Sequence, residues 1–422
     1  MILNLKKEIL KKVTEHYLNS LDFNGIPVNK LVVHFNISLT ELNIILKELV
    51  NKDKIDLRFG DFHPNAHIQA LFEYPKIVLL EIMTEQKIQH SCIYPTKKHL
   101  TKIVDKKKYD GKPFSLKLAL GFYQLNYEAF DLSILEMYRN DPRYYFINSD
   151  IQGQIYYSNS RNSKKNNPDN IYLQEYGFCF NKKNERAIAV FLTRLSGLTP
   201  EHQQMWNAKK LKGKFLLHPD FYKMSRGHLP EGISIFGAFI KEQEKINKIC
   251  KIIGIPPLFK KIFTLRDKPK EFTFLIRPTL REYENFIHIL DKMVSENINV
   301  DFFQNRIELE KEETRKDGKI ITRKKGSIEL LDEWLHIYYH HPDTNLIKKT
   351  LAPFRKLRRL RQLPAHTLSE NEYSQKYFKE QKELMSSVHN AILGIRYILQ
   401  YDPNVTNEQR ESFETKLQIW LQ

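Results

Sequence analysis

The chain has 422 residues, of which 41% are hydrophobic and 28% charged, a composition typical of a globular protein with more than one domain. A formal net charge of +17 favours an anionic partner, either nucleic acid or a membrane surface, although a general bias towards lysine would also explain it. Three isolated cysteines without a C-x-x-C pair favour neither a zinc ribbon nor a disulfide framework. Without a signal peptide or a long apolar segment, the sequence predicts a cytoplasmic protein with no membrane contact.

Residues 1–62 have a pattern typical of a winged helix-turn-helix. Apolar residues at helical spacing predict the first helix: Ile9, Val13, Tyr17 and Leu21. Val28 to Phe35 predicts a second helix, and Ser38 with Glu41 forms a capping box that begins a third. Ile55 to Phe59 alternates like the strand of a wing.

The third helix of a winged helix either enters the major groove of DNA or contacts protein. Its outer face here is mixed in charge, so both a DNA partner and a protein partner stay open. If the module binds DNA, the predicted contacts are Asn43, Lys47, Lys52 and Arg58.

Residues 63–265 predict a central α+β region that senses a signal or regulates the rest of the chain. Helices are predicted over 67–88, 95–104 and 115–138, and strands over 144–147, 154–157 and 171–180. Thr199 followed by Pro200 predicts the start of another helix, so a structural role is favoured for His202 and Trp206.

Residues 266–326 predict a short α/β connector. The apolar run 272–276 has the length of a strand, and Thr279 with Glu282 forms a second capping box. Strands over 306–310 and 319–323 flank an Asp-Gly turn, which predicts a hairpin.

Residues 327–422 predict an all-α bundle without strands. Its four helices cover about 327–339, 343–363, 369–400 and 404–421, and Ser369 with Glu372 resembles a third capping box. Short connections make neighbouring helices antiparallel, so an up-and-down arrangement is expected.

The segment Pro353–His366 contains four arginines and one lysine and no acidic residue. It ends in Arg361-Gln362-Leu363-Pro364-Ala365-His366, with Pro364 interrupting the helix. An arginine, a polar neighbour and a histidine after four intervening residues resemble the motif of HEPN superfamily ribonucleases. The surrounding bundle is similar to HEPN domains of bacterial defence and abortive-infection proteins.

This resemblance implies a metal-independent endoribonuclease, a toxin or antiphage effector, that cleaves RNA such as tRNA without a cofactor. Attack by the ribose 2′-hydroxyl needs a cation on the phosphate and a group that moves protons near neutral pH. Arg361 suits the first role and His366 the second. The residues expected to hold substrate are Arg355, Lys356, Arg358, Arg359 and Gln362.

One histidine supplies one titrating group, whereas the reaction needs an acid and a base. The resemblance implies a homodimer through the bundle, which brings two motifs into one cleft. Two alternatives stay open: a winged-helix DNA-binding regulator with a non-catalytic basic bundle, and a purely structural use of the basic helix. The His340-His341 pair and His63 with His67 lack further ligands, so no metal site is predicted.

Overall fold

A computed structural model describes residues 2–60, 65–68, 74–149, 151–157, 167–229, 232–314, 318–339, 345–362, 370–414 and 418–420. The chain divides into two compact units, residues 1–146 with 152–228 and residues 147–151 with 229–422. The fold is a mixed α+β one with a helical C-terminal region, as predicted. The division does not coincide with the boundaries expected near residues 62, 265 and 326.

The first unit begins with five helices and a small antiparallel sheet of strand order β1-β3-β2. The elements are α1 (Ile2–Asn19), β1 (Ile26–Pro27), α2 (Val28–Phe35), α3 (Leu39–Asn51), β2 (Ile55–Phe59), α4 (Lys76–Ile82), α5 (Glu85–Ile88) and β3 (Ser91–Pro95). In β2, Ile55, Leu57 and Phe59 join the core formed with the helices. Because strand side chains alternate, Arg58 lies on the opposite face.

The capping box at the start of α3 is confirmed. The Ser38 side chain accepts a hydrogen bond from the Glu41 backbone N–H, and the Glu41 carboxylate accepts one from the Ser38 N–H. The predicted first helix is too long, because α1 ends at Asn19 and Leu21 is 96% exposed.

The rest of the first unit surrounds a larger sheet with the order β4-β8-β7-β6-β5, in which β9 also pairs with β7. The elements are α6 (Lys97–Ile103), a 3₁₀ helix (Lys106–Tyr109), α7 (Pro113–Ala119), β4 (Tyr127–Phe130), α8 (Ile134–Asn140), β5 (Tyr144–Asn148), β6 (Gln152–Tyr157), β7 (Tyr172–Phe180), β8 (Arg186–Phe191), α9 (Leu192–Ser196), α10 (Pro200–Ala208), β9 (Leu216–Leu217) and α11 (Pro219–Met224). Strands β5, β6 and β7 confirm the predicted ones.

Two long helices predicted for this unit are wrong. The segment 115–138 forms α7, β4 and α8, because the chain turns at Gly121, whose φ is +85°. A Cβ there would lie 2.9 Å from the Cα of Lys97, so the turn is packed tightly against α6. In the segment 67–88, α4 and α5 are separate helices, and residues 69–73 lie outside the described part of the chain.

Helix α10 begins as predicted, with the Thr199 side chain accepting a hydrogen bond from the His202 N–H. His202 and Trp206 are buried and both contact the Tyr138 hydroxyl: Nδ1 of His202 lies 2.7 Å from it, and Trp206 Nε1 donates to it over 2.9 Å. This network accounts for both residues as internal structure.

The second unit is dominated by helices. Its elements are β10 (Gly232–Ser234), α12 (Ile235–Ile252), α13 (Leu280–Asp291), a π-helical turn (Lys292–Glu296), a 3₁₀ helix (Val300–Phe302), β11 (Glu310–Thr314), β12 (Ile320–Lys324), α14 (Ser327–Tyr338), α15 (Asn345–Gln362), α16 (Lys376–Gln400), α17 (Asn407–Phe413) and β13 (Gln418–Trp420). Helix α16 packs against α12, α13 and α15, and α15 also packs against α13 and α14. The helices that pack together in this unit therefore include α12 and α13. From the sequence, α12 was expected in the region 63–265 and α13 in the region 266–326.

Several predictions for this unit are wrong. The run 272–276 is buried but forms no strand, and the first hairpin strand is Glu310–Thr314 and not 306–310. The expected fourth helix is replaced by the short α17 and by β13, which pairs in parallel with β10. Glu372 lies before α16, whose N-cap is Gln375, and Ser369 lies outside the described residues. The Thr279 side chain caps α13 as predicted.

The interface of α12 and α16 contains a buried ion pair and a buried histidine. Arg396 Nε donates to Glu242 Oε2, and each residue is less than 4% exposed. His389 lies on the same helix as Arg396 and is 3% exposed, and its Nε2 has no hydrogen-bond partner among the described residues. Burial lowers the pKa of His389, an effect that Lys245 and Arg396 reinforce and Glu242 opposes.

We predict that Gly177→Ala destabilises the first unit. An added Cβ would lie 2.1 Å from the ring of Phe221, which is itself stacked on Phe191 and cannot shift freely. The free energy of unfolding should fall by about 1–3 kcal/mol in urea denaturation. Gly197→Ala is the matched control, because its nearest neighbour is 3.7 Å away and its φ is −76°. Equal effects of the two changes would contradict this packing.

We also predict that His389 makes the second unit less stable in acid. The unfolded chain binds a proton near the ordinary histidine pKa of about 6.5, which the buried side chain binds only at lower pH. Above that pH, protonation of His389 therefore does not lower the free energy of unfolding. As the pH decreases below it, the free energy of unfolding falls. His389→Gln should flatten this decline in urea midpoints measured from pH 7.5 to 5, whereas His288→Gln, at an exposed position on α13, should leave it unchanged.

Candidate site at the end of helix α15

The basic helix α15 buries one face and exposes its charges on the other. Four apolar side chains at spacings of three and four residues face the interior: Ile347, Leu351, Phe354 and Leu357. The helix ends at Gln362, directly before the segment that carries the rest of the predicted motif. Arg361 lies in its last turn, and the side chain is partly exposed.

Asp291, the last residue of α13, holds two arginines of α15. Its carboxylate is fully buried, and Oδ2 accepts hydrogen bonds from Nη1 of Arg361 at 2.5 Å and from Nη1 of Arg358 at 2.9 Å. Positions 358 and 361 are three residues apart, so both side chains project from the same face of the helix. One buried carboxylate thus aligns the two guanidinium groups.

Arg361 has a second acidic partner at the end of the π-helical turn. Its Nη1 also donates to Glu296 Oε1 at 2.5 Å. Asp291, and after it Glu296, raises the pKa of Arg361 above its usual value, so the guanidinium stays charged at every relevant pH. Both contacts use one nitrogen, and Nε and Nη2 have no hydrogen-bond partner among the described residues. The side chain is 24% exposed. A charged guanidinium with N–H groups that have no such partner can bind an anion.

The other residues expected to hold substrate fall into two groups. Arg355 is ion-paired with Asp332 at 2.8 Å, and Arg358 is engaged by Asp291 as described above. The remaining three are exposed and have no ion-pair or hydrogen-bond partner among the described residues: Lys356, Arg359 and Gln362. The helix therefore offers less unpaired positive charge than its sequence suggests.

His366 lies outside the described residues, as do Leu363, Pro364 and Ala365. The structure thus gives the position of Arg361 but no distance from it to the histidine. The acidic residues Asp291 and Glu296 were not foreseen from the sequence, because they lie 70 and 65 positions before Arg361. The sequence signal for this site was limited to the position of Asp291 at the end of α13, a helix that its apolar face predicts.

Two of the four predicted DNA contacts are buried, and those predictions are wrong. Arg58 is fully buried, donates to Asp56 Oδ2 over 2.7 Å, and lies near the ring of Tyr123. Asn43 is 8% exposed and donates to the Met83 carbonyl, because α4 and α5 pack against α3. Lys47 is half-buried and Lys52 is exposed. The α3 face that points away from the core is therefore partly covered.

Within the described ranges, no group of three or more histidine, cysteine, aspartate or glutamate side chains is arranged to hold a metal ion. None of the helices in the part of the chain that the structure describes is both long enough and apolar enough to span a bilayer.

We predict that Asp291→Asn lowers stability more than Asp332→Asn, although each removes an acidic partner of an α15 arginine. Asp291 is fully buried, so its loss leaves two guanidinium groups against an uncharged amide, and the free energy of unfolding should fall by about 1–3 kcal/mol. Asp332 is 32% exposed, and its pair with Arg355 should contribute less than about 1 kcal/mol. Urea denaturation of both variants measures the difference, and a larger effect at Asp332 would contradict it.

Comparisons with known proteins add no relative to this site. No protein-family model matches the chain, and searches of curated proteins and of solved structures found no match either.

Proposed function

We propose that the chain is a metal-independent endoribonuclease of toxin or antiphage type, with Arg361 and His366 as its catalytic pair. The observation that carries this proposal is the set of hydrogen bonds that the Arg361 guanidinium makes. Its Nη1 is fixed by Asp291 and Glu296, its Nε and Nη2 have no described partner, and His366 follows after four intervening residues. A pre-oriented guanidinium and a histidine close to it in the sequence are residue types suited to phosphate chemistry.

The reaction proceeds by attack of the ribose 2′-oxygen on the adjacent phosphorus. A bond forms between that oxygen and phosphorus, and the bond from phosphorus to the 5′-oxygen of the next nucleotide breaks. The 2′-hydroxyl gives its proton to a base, and the departing 5′-oxygen receives one from an acid. The products are a 2′,3′-cyclic phosphate and a 5′-hydroxyl. Arg361 neutralises the charge on the phosphate oxygens, and His366 moves the protons.

Two copies of the motif would supply both the acid and the base. One histidine cannot be protonated and neutral at the same moment, so a composite site between two C-terminal helical regions meets the need. We therefore infer a homodimer that joins the two motifs. Arg359 and Lys356, which are exposed on α15, would contact neighbouring phosphates of the RNA.

The N-terminal part supports a winged-helix module as the regulatory element. The elements run in the order α1, β1, α2, α3 and β2, and β3 follows after α4 and α5. The sheet order β1-β3-β2 next to α1, α2 and α3 supports this proposal. A DNA-binding regulator is the alternative function, with Lys47 and Lys52 as its remaining contacts. The burial of Asn43 and Arg58 and the mixed charge of α3 favour a protein-contact role.

We predict that Arg361→Lys and His366→Ala each reduce RNA cleavage by about 100-fold or more in the presence of EDTA. Lysine keeps the charge next to Asp291 but lacks the Nε and Nη2 edge, so the first change separates phosphate binding from helix packing. The assay follows a labelled RNA and identifies the 2′,3′-cyclic phosphate end. His336→Ala, which removes an exposed histidine from α14, should leave cleavage unchanged.

Three other experimental outcomes would favour a different function or contradict part of the proposed mechanism. A wild-type protein that leaves total RNA intact but retards duplex DNA would support the regulator. Cleavage by a protein that remains monomeric in sedimentation at the assay concentration would contradict the composite site. Cleavage of an RNA whose 2′-hydroxyls are methylated would contradict the assignment of the 2′-hydroxyl as the nucleophile.

A further inference from the structure

The first unit carries a dense cluster of lysines that neither the motif nor the winged helix explains. Between residues 97 and 112 the chain has seven lysines against two aspartates, Asp105 and Asp110. All seven are exposed, and we call them the lysine ridge: Lys97, Lys98, Lys102, Lys106, Lys107, Lys108 and Lys112.

The ridge is almost free of ion pairs. Lys98 is bound to Asp53 at 2.8 Å, and the other six have no acidic partner within ion-pair distance among the described residues. Some basic residues elsewhere are paired with acids. In β12 and the turn after it, Arg323 and Lys325 are paired with Glu313, Glu329 and Glu333. Unpaired ammonium groups in one short segment repel one another, and a polyanion relieves that repulsion.

The backbone that presents these lysines is ordered by local interactions. The Thr96 side chain accepts a hydrogen bond from the His99 N–H at the start of α6, and Asp105 accepts one from the Lys107 N–H at the start of the 3₁₀ helix. The turn at Gly121 packs against Lys97, whose Nζ lies 4.0 Å from the centroid of the Phe122 ring. The ridge is therefore carried by a backbone of defined secondary structure and not by a flexible basic tail.

We propose that the lysine ridge binds the phosphate backbone of RNA and supplies affinity that is independent of base sequence. The choice of RNA over DNA rests on the proposed nuclease function, whereas the anionic backbone follows from the charge itself. A membrane surface fits less well. Ile103 is the one large apolar side chain exposed between residues 97 and 112, and it gives little area for insertion into lipid.

The test uses the full chain and a fluorescein-labelled 20-nucleotide 2′-O-methyl RNA, which 2′-hydroxyl attack cannot cleave. Fluorescence anisotropy at several NaCl concentrations compares Lys107→Gln/Lys108→Gln with Lys182→Gln/Lys183→Gln. The second pair also removes two consecutive exposed lysines, from the turn between β7 and β8, and so changes the net charge equally.

Loss of two phosphate contacts should weaken binding about tenfold near 0.15 M salt and reduce the slope of log affinity against log salt by about 1.4. The control pair should change affinity less than about twofold, because two lysines that lie outside the proposed site contribute only to the general attraction by net charge. Equal effects of the two pairs would overturn the proposal. Preferential binding of a duplex DNA of the same sequence would overturn the choice of RNA.

Anionic vesicles containing phosphatidylserine provide the remaining arm. If Lys107→Gln/Lys108→Gln abolishes vesicle binding and leaves RNA binding intact, the ridge is a membrane surface and the proposal fails. Because the oligonucleotide cannot be cleaved, binding is measured separately from catalysis. If the wild-type chain binds the oligonucleotide through the ridge but does not cleave unmodified RNA, the proposed RNA-binding surface is supported. The proposed nuclease function is then contradicted.

Discussion

A buried carboxylate between two helices is the constraint on which the candidate site depends. Asp291 is fully enclosed at the end of α13, and a charge in that position requires partners. Arg358 and Arg361 provide them from α15, so the register of α15 against α13 is tied to one acid. Glu242 and Arg396 make a comparable link between α12 and α16. Such pairs fix which faces meet, because a shifted register would leave a charge buried without its counterion.

This constraint changes how the positive charge of the chain should be interpreted. On α15, Arg355, Arg358 and Arg361 are each engaged by an acid, so the helix is less cationic than its composition indicates. What the acids provide is orientation: Arg361 presents one edge of its guanidinium while the other is held. The lysine ridge of the first unit has the opposite character, since six of its seven ammonium groups have no acidic partner among the described residues. One surface suits positioning of a single phosphate, and the other suits attraction of a long anionic backbone.

Local signals in the sequence predicted helix starts well. The side chains of Ser38, Thr199 and Thr279 each accept a hydrogen bond from a backbone N–H of their own helix, as their neighbouring residues indicated. Such caps involve residues three positions apart, so short-range pattern is sufficient. Segments that pair with distant strands were predicted poorly. The C-terminal strand β13 lies beside β10, and β4 interrupts a segment that has the apolar content of a long helix. Pairing partners far away in the chain decided these cases, because strand formation depends on context more than helix formation does.

The sequence by itself determined the mixed α+β class, the helical C-terminal region, the side-chain caps at the starts of α3, α10 and α13, and the motif in which Arg361 precedes His366. These features follow from periodicity and from residues close together in the chain. Only the tertiary structure decided which charged side chains are available. It buried Arg58 and Asn43, which the sequence offered to DNA, and it joined Arg361 to two acids more than sixty positions away. Burial and ion pairing are set by elements that meet only after folding, and a local pattern carries no record of them.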